Sequence, residues 1–472
     1  MKIIVLEANE IPPRLFRHYA KVKPNSCIAN ILNKTPIVET VADDVEESFL
    51  YPSQTWASLN TGLPYKSHKI HWYNDPKDFK QFYWHHAACN GKKTAIACTL
   101  HSSPLGSFIS EGNYCFALPD PFATTNETFP KELMPFQTLN LAVTLASGRR
   151  TNLKTLLKKA GLSWLKNPSL KNWGISKRSV ASVSKMMANA FLINSERARG
   201  AQFPLVGEVF LDAIKQNKPD LAVMFTNLVA ANMHRYWYGL FPQDYSIQLY
   251  PKSWVEKYKN EIMAAMNDLD AYLNELCKLA LKHQYTLLLT TSMGQYANPE
   301  LTLEKIARRP VDFRLENPMR FFNKICGDVA GVKFEGAMIP QYTFSFPDEV
   351  ECNNKKDEID ARNKSGDFQG ITIKPDAEKN KLTLSTVIEP SQSKELRIGK
   401  DNYTFKDLGF TSFKIEDHHS GKHHPMGSIL LFNDHKNVFD SWAGKQINYL
   451  EYAPKIKEVF SDQNKKVFAE QA

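Results

Sequence analysis

Two stretches of the chain decide the fold: the apolar run MKIIVLEAN at Met1–Asn9 and the segment PSQTWASLNTGL at Pro52–Leu63. The first has the continuous apolar character of a strand buried in a parallel sheet, and it turns polar at Glu7. The second has hydroxyl residues near its start and a glycine near its end, which indicates a helix. In open α/β sheets, ligands bind beyond the carboxyl ends of the strands, where helix N-termini also point. We therefore predict that Glu7 and Thr55 belong to one site.

The rest of the chain alternates apolar strand patterns with long helical patterns, such as Leu15–Leu32, as is typical of the α/β class. The predicted core strands are Lys2–Leu6, Thr94–Leu100, Leu221–Phe225, Tyr285–Thr290 and Ser428–Phe432. We therefore expect a mostly parallel sheet sandwiched between helices.

Composition divides the chain into five segments. Core segments are expected at residues 1–115, 203–338 and 407–472, the last including a polar C-terminal tail. An α-rich basic insertion is expected at residues 116–202. A small β-rich cap is expected at residues 339–406, where short alternating runs lie among Asp, Glu, Lys and Asn.

Composition also limits the classes of protein to which the chain can belong. The 472 residues are 43% hydrophobic and 23% charged, which is ordinary for a soluble protein. No apolar run reaches the roughly 18–20 residues needed to span a bilayer. The N-terminus lacks a signal-peptide pattern, because its short apolar run is interrupted by Glu7. We therefore expect a cytoplasmic protein. Its seven scattered cysteines form no Cys-x-x-Cys pair, so free thiols are expected rather than disulfides or a structural zinc site.

Positive charge is concentrated in one block. The net charge is +9, and Leu133–Ser195 contains no Asp or Glu. Leucines interleave with the charges there, which fits an amphipathic helix with a basic outer face, but a block of one sign also indicates an anionic partner. We expect Arg149 and Arg150 to gather an anionic small-molecule or saccharide substrate. Peripheral contact with an acidic membrane is the alternative, whereas no nucleic-acid-binding signature is present.

Polar residues also follow the other predicted strands. Asn227 and His234 come after the strand that ends at Phe225, and Ser292 and Gln295 come after the strand that ends at Thr290. A loop rich in histidine precedes the last strand, with His418, His419, His423 and His424. At neutral pH such histidines bind a metal, pass protons or add positive charge.

Together these residues resemble the alkaline phosphatase superfamily, particularly its type I phosphodiesterase and nucleotide pyrophosphatase branch. In that family the first strand ends in a metal-binding carboxylate. A Thr or Ser nucleophile opens a helix that runs into Thr-Gly-Leu and a later His-Gly-Ile, and this chain has Thr61-Gly62-Leu63 and His68-Lys69-Ile70. The resemblance implies an alkaline-phosphatase-like core and the hydrolysis or transfer of phosphoryl or sulfuryl esters. It also implies Thr55 as nucleophile and Glu7 as a metal ligand.

The chain departs from this family at the metal ligands. Asn227 stands near the place of a metal-binding Asp, and Ser292 and Met293 stand where active relatives have Asp-His. Two metal ions about 4 Å apart need several carboxylates and imidazoles, so these replacements disfavour a two-zinc site. We expect at most one divalent ion, zinc, manganese or magnesium. Its candidate ligands are Glu7, His234, His423 and His424.

Three hypotheses about function follow. In the first, the protein is an enzyme in which Thr55 attacks the ester and His234 or His424 assists, because a threonine hydroxyl alone is a weak nucleophile. The substrate would be bound by neutral hydrogen-bonding side chains and the basic block: Asn9, Asn227, Gln295, Arg149 and Arg150. In the second, the protein binds or scaffolds and has lost the chemistry.

The third hypothesis is a transferase of surface-polysaccharide or nucleotide-sugar metabolism, in which a sugar hydroxyl replaces water as acceptor. The neutral and aromatic residues around the predicted site favour it. A structural role for Thr55 also stays open, since Ser53 is able to cap the helix and leave Thr55 an ordinary first-turn residue.

Overall fold

The structure of the protein is a computed structural model, and it describes residues 1–44, 50–73, 75–147, 177–192, 197, 200, 202–308, 311–335, 341–388, 395–414 and 418–461. The chain divides into two compact units. The first contains Met1–Thr144, Thr151–Pro299 and His419–Ala472, and the second contains Leu145–Arg150 and Glu300–His418. The division into five segments stays a prediction.

The secondary structure of the described residues follows the alternating pattern. In chain order the strands are β1 Lys2–Ala8, β2 Val38–Val41, β3 Thr94–Ala97, β4 Tyr114–Leu118, β5 Leu221–Thr226, β6 Tyr285–Thr290, β7 Gly294–Ala297, β8 Val311–Leu315, β9 Lys333–Phe334, β10 Gln341–Ser345, β11 Phe368–Gln369, β12 Ile371–Glu378, β13 Lys381–Ile388, β14 Glu395–Ile398, β15 Asp401–Thr404, β16 Phe410–Lys414, β17 Gly421–His424, β18 Met426–Phe432 and β19 Gln446–Asn448. The α-helices are Pro13–Val22, Cys27–Lys34, Pro52–Thr61, Tyr65–His68, Tyr83–Cys89, Met134–Ser147, Lys177–Leu192, Gln202–Asn217, Ala230–Leu240, Lys252–Tyr258, Glu261–His283, Leu303–Arg308, Pro318–Cys326, Glu349–Ser365 and Tyr452–Phe460.

An eight-stranded sheet forms the core of the first unit, in the order β19-β2-β18-β6-β1-β5-β3-β4. β1 lies at its centre, parallel to both β5 and β6. β18 runs antiparallel to its neighbours β2 and β6, whereas the other pairings are parallel. β5 and β6 are buried along their whole length, which explains their continuous apolar sequences. The expected α/β fold class, with a mostly parallel sheet flanked by helices, is confirmed.

The helix predicted at Leu15–Leu32 is wrong in its extent. Two helices occupy this stretch, Pro13–Val22 and Cys27–Lys34. Pro24 lies between them, and a proline lacks the backbone N–H that a continuous helix would need. The side chain of Ser26 then caps the second helix by accepting a hydrogen bond from the backbone N–H of Ala29.

The second unit has a core of its own. Its sheets have the orders β12-β13-β10-β9, β11-β14-β15 and β16-β8. The helix Glu349–Ser365 buries Cys352 and Ile359, and both belong to a single apolar cluster with side chains of the sheets. Residues 339–406, the predicted β-rich cap, thus contain this long helix as well as strands. Among the described residues of either unit, no helix is both long and apolar enough to cross a lipid bilayer.

The strand directions bring the predicted site residues to one edge of the central sheet. β1, β5 and β6 are parallel and end at this edge. β18 begins there, because it runs in the opposite direction. A two-stranded ribbon of β7 and β17, which follows β6 and precedes β18, extends from the same edge.

Candidate functional site

Glu10 is the charged centre of this edge. It lies two residues beyond β1, is 2% exposed, and has a left-handed backbone with φ 62°. Such a conformation is strained for a residue other than glycine, and strain of this kind is concentrated at functional sites. Its Oε2 lies 3.0 Å from Nε2 of His234 and 3.4 Å from Nε2 of His423. We call these three residues the Glu10 cluster.

Two amide side chains hold the carboxylate of Glu10 in place. Asn9 donates a hydrogen bond from Nδ2 to Oε1 over 2.6 Å. Gln295 donates a hydrogen bond from Nε2 to Oε2, and a second one to the carbonyl oxygen of Ala230 over 3.2 Å. Both amides are almost completely buried, so they fix the carboxylate at a single position.

Secondary structure explains which histidines reach Glu10. His234 lies on the helix Ala230–Leu240, which follows β5 closely. His423 lies on β17 directly opposite Gln295 on β7, and opposite residues of a ribbon share a face. The next residue, His424, points to the other face because side chains alternate along a strand.

The contacts of His424 agree with this alternation. Its ring centre lies 4.4 Å from that of Tyr296, and its Nδ1 accepts a hydrogen bond from the backbone N–H of Met426 over 3.2 Å. Of the two neighbouring histidines predicted as candidates, His423 is therefore the one that contacts Glu10.

Contacts within the Glu10 cluster shift the pKa values of Glu10 and His423 in opposite directions. Burial alone would raise the pKa of Glu10, but the charges and hydrogen bonds of His423 and His234 hold it well below the ordinary value. Burial alone would lower the pKa of His423, but the charge of Glu10 and hydrogen bonds to Glu10 and to the backbone of Leu50 raise it above the ordinary value. The carboxylate is thus ionised and stabilises positive charge beside it.

Glu7 lies in a different environment. It is completely buried, and its Oε1 accepts a hydrogen bond from the Tyr83 hydroxyl over 3.2 Å. Burial raises its pKa to about 8, although the neighbouring polar side chains of Asn60, Tyr83 and Thr99 act in the opposite direction. Among the described residues, the group at this edge whose ligand atoms lie close enough together to hold a metal ion contains Glu10 rather than Glu7. The structure therefore does not bring Glu7 together with His234 and His423, as the sequence analysis expected.

Thr55 is fully buried near the start of the helix Pro52–Thr61. Its Oγ1 lies 2.9 Å from Oγ of Ser292 and 3.3 Å from the carbonyl oxygen of Tyr51. The helix begins with Pro52 and has no side-chain cap. The hydroxyl of Ser53 instead donates to the carbonyl oxygen of His71 over 2.6 Å, so the hypothesis that Ser53 caps this helix is wrong.

Neutral side chains pair with one another at the positions where the sequence resemblance implied metal ligands. Asn227 accepts a hydrogen bond from Nδ2 of Asn9 over 2.8 Å, and Ser292 pairs with Thr55. Met293 is completely buried. None of these three replacements offers the carboxylates and imidazoles of a two-zinc centre, so the residues present do not fit one.

Asn9 and Trp56 connect the helix that carries Thr55 to the Glu10 cluster. The indole N–H of Trp56 donates to Oδ1 of Asn9 over 2.8 Å. Since Nδ2 of Asn9 donates to Glu10 and to Asn227, all the polar atoms of this side chain have partners. Asn9, predicted to bind substrate, is thus placed as a positioning residue.

A further group of polar residues, most of them buried, lies beside this edge and was not predicted from the sequence. The amine of Lys77 donates to the carbonyl oxygens of Tyr73 and Ser103 over 2.6 and 3.1 Å. Burial raises the pKa of Asp120 to about 6, although the charge of Lys77 opposes this shift. Burial raises the pKa of Tyr73, and the charges of Glu10 and Asp120 raise it further. No local sequence motif identifies these residues. The one signal in the sequence is the polar and aromatic stretch HWYND at residues 71–75, which follows the helix that carries Thr55.

The predicted substrate-binding residues Arg149 and Arg150, together with most of the basic block, lie outside the described residues. Buried His85 and the exposed residues Cys89 and Glu111 form another group whose ligand atoms lie within 4.8 Å of one another. His85 and Cys89 are one turn apart on the helix Tyr83–Cys89, with 3.4 Å between Nε2 and Sγ.

No family model matches the chain, and no curated protein sequence matches it. Among solved structures, it is similar to phosphonoacetate hydrolase from Sinorhizobium meliloti 1021, with 10% identity, a TM-score of 0.40, and coverage of 98% of this chain and 96% of that one. It is similar to murine ectonucleotide pyrophosphatase/phosphodiesterase 5 at 11% identity and a TM-score of 0.36, with coverage of 98% and 95%.

A cold-active alkaline phosphatase from a psychrophilic Shewanella species is similar at 11% identity and a TM-score of 0.36, with coverage of 98% of this chain and 100% of that one. These are similarities at low identity. The function has to be inferred from the site residues themselves.

Proposed function

We propose that the protein hydrolyses or transfers phosphoryl or sulfuryl esters of a small anionic substrate, with Thr55 as nucleophile in a site without a two-zinc centre. The observation that supports this proposal most is the position of the Thr55 hydroxyl. It is buried near a helix N-terminus, 2.9 Å from the Ser292 hydroxyl, at the edge of the sheet where the Glu10 cluster also lies.

The chemistry follows from the surroundings of that hydroxyl. Attack of Oγ1 of Thr55 on phosphorus or sulfur forms a bond to that atom and breaks its bond to the alcohol oxygen, which leaves with the proton of the Thr55 hydroxyl. Water or a second hydroxyl compound then takes the phosphoryl or sulfuryl group from Thr55 and returns a proton to Oγ1. Negative charge on the transferring oxygens is stabilised by a helix N-terminus and by positive groups in a site closed to water. His423, whose pKa is raised by the charge of Glu10, is such a group, and the basic block at Arg149 and Arg150 would attract the substrate from solution.

The enzyme hypothesis is tested on a panel of aryl phosphate monoesters, phosphodiesters and sulfate esters. Thr55→Ala should abolish turnover and leave substrate binding nearly intact, because the lost interaction exists chiefly in the transition state. Thr55→Ser should keep part of the activity. Thr61→Ala is the matched control, since it removes a hydroxyl from the same helix that bonds only helix carbonyls and the backbone of Leu63.

The same assay identifies whether water or another hydroxyl compound accepts the transferred group. Turnover that requires an added sugar or other hydroxyl compound would identify a transferase, and turnover in water alone would identify a hydrolase. Binding of anionic esters without turnover by the parent would contradict the proposal and favour a binding protein that has kept the fold.

A further inference from the structure

The ligand atoms of the Glu10 cluster converge on one point. One carboxylate oxygen of Glu10 and one nitrogen each of His234 and His423 all lie within 4.8 Å of one another. In a tetrahedral zinc site, bonds of about 2.0–2.1 Å place neighbouring ligand atoms about 3.3 Å apart. The distances of 3.0 and 3.4 Å from Oε2 of Glu10 to the two Nε2 atoms are close to this edge length.

Hydrogen bonds to the backbone orient both rings for this role. Nδ1 of His234 lies 3.2 Å from the carbonyl oxygen of Gly421. A carbonyl oxygen only accepts hydrogen bonds, so Nδ1 carries a hydrogen and Nε2 is the nitrogen that faces Glu10. His423 also hydrogen-bonds the backbone, at Leu50. Metal-binding histidines are typically held by a hydrogen bond of this kind from the nitrogen that does not bind the metal.

A lone pair that faces a carboxylate oxygen at 3.0 Å is repelled unless positive charge lies between them. Either protons on the imidazoles or one cation meets this requirement. The amides of Asn9 and Gln295 already hold the carboxylate from the other directions, as outer partners of a metal site do. Glu10, Asn9 and Gln295 are buried, whereas His234 and His423 are partly exposed.

We infer that Glu10, His234 and His423 bind one divalent transition-metal ion, with zinc as the best match and Glu10 as the carboxylate ligand. Two imidazoles and one carboxylate suit zinc, cobalt or iron(II), whereas magnesium and calcium prefer oxygen ligands throughout. Three protein ligands leave a coordination position open for water or for an oxygen of a substrate. This inference does not depend on the role of Thr55.

The full-length chain, stripped with a chelator, is titrated with zinc against a chromophoric competitor, and with cobalt(II) to record its visible absorption spectrum. We expect one ion per chain, bound with the spectrum of nitrogen and oxygen ligands. His234→Ala and His423→Ala should lose it. Glu10→Gln, which keeps the shape of the side chain, should weaken binding by more than the roughly 10–100-fold that an outer partner contributes.

Two controls separate this site from other ways of binding metal. His435→Ala removes an exposed histidine, and Cys89→Ser removes one ligand from the group of His85, Cys89 and Glu111. Both should keep the ion at the Glu10 cluster. The inference is overturned if the parent binds no ion, if folded His234→Ala and Glu10→Gln bind as the parent does, or if Cys89→Ser alone abolishes binding. None of these readouts requires turnover, so their failure would leave the test of Thr55 unaffected.

Discussion

The side chains of Asn9 and Asn227 are joined by a 2.8 Å hydrogen bond beyond the ends of the neighbouring strands β1 and β5. The same Nδ2 of Asn9 also donates to Glu10, while Oδ1 accepts from Trp56. The amide orientation is therefore fixed, since only an N–H is able to serve the two acceptors. A carboxylate at this position would face the carboxylate of Glu10.

Substitution of Asn9 tests this arrangement. Asn9→Asp removes both donors and places a negative charge against Glu10, so we expect it to lower the free energy of unfolding by at least about 1–3 kcal/mol. Asn227→Asp is the matched control, because it keeps the acceptor for Asn9 and lies at an exposed position. Urea unfolding at neutral pH measures both variants. Equal stability of the two would contradict the role given to Asn9.

The buried carboxyl of Glu7 should make stability depend on pH. Its folded pKa, raised to about 8 by burial, lies above the ordinary value of 4.5, so the folded protein favours the neutral acid. The stabilisation is present below about pH 4.5 and is lost as pH rises towards 8, where the unfolded chain is ionised. Glu7→Gln cannot ionise, so at pH 8 it should be more stable than the parent by roughly 2–4 kcal/mol.

Thermal unfolding of Glu7→Gln and the parent across pH 5 to 8 measures this difference. Glu132→Gln, a change at an exposed glutamate, is the control and should follow the parent. Parallel curves for the parent and Glu7→Gln would show that Glu7 is not a buried neutral acid.

Most strand ends were predictable from the sequence, and Glu10 was not. Long apolar runs such as Tyr285–Thr290 mark buried strands, and each run shows where its strand ends. Which of Glu7 and Glu10 contacts the histidines depends instead on a left-handed turn after β1 and on partners more than 200 residues away in the chain. Such long-range contacts leave no local pattern.

For a similar reason, the sequence alone does not show which of His423 and His424 contacts Glu10. Which of two adjacent residues faces the site depends on the register of β17 against β7, and that register pairs His423 with Gln295. A shift by one residue would exchange the two faces. The sequence shows the histidines but contains no signal for the register.

This register gives a further prediction. His424→Ala should retain the metal ion, because its side chain contacts Tyr296 on the face away from Glu10. His423→Ala should lose the ion. Zinc titration of the two variants side by side measures the difference, and circular dichroism verifies their folding. Loss of the ion in His424→Ala but not in His423→Ala would show that the ribbon has the other register.

The basic block should act on the rate of substrate capture. Reversing the charges of Arg149, Arg150, Lys158 and Lys159 should raise KM. The increase in KM should become smaller as the salt concentration rises, because salt screens the attraction between the basic residues and an anionic substrate. Reversal of exposed lysines elsewhere, such as Lys21, is the control. An unchanged KM at low salt would favour a membrane or partner surface instead.

The most direct test of the central claim is mass spectrometry of the protein quenched during turnover of an ester substrate. If Thr55 is the nucleophile, the peptide that contains it should carry a phosphoryl or sulfuryl group in the parent, and Thr55→Ala should show neither the group nor turnover. Unchanged turnover by Thr55→Ala, or a covalent group on a different residue, would contradict the account.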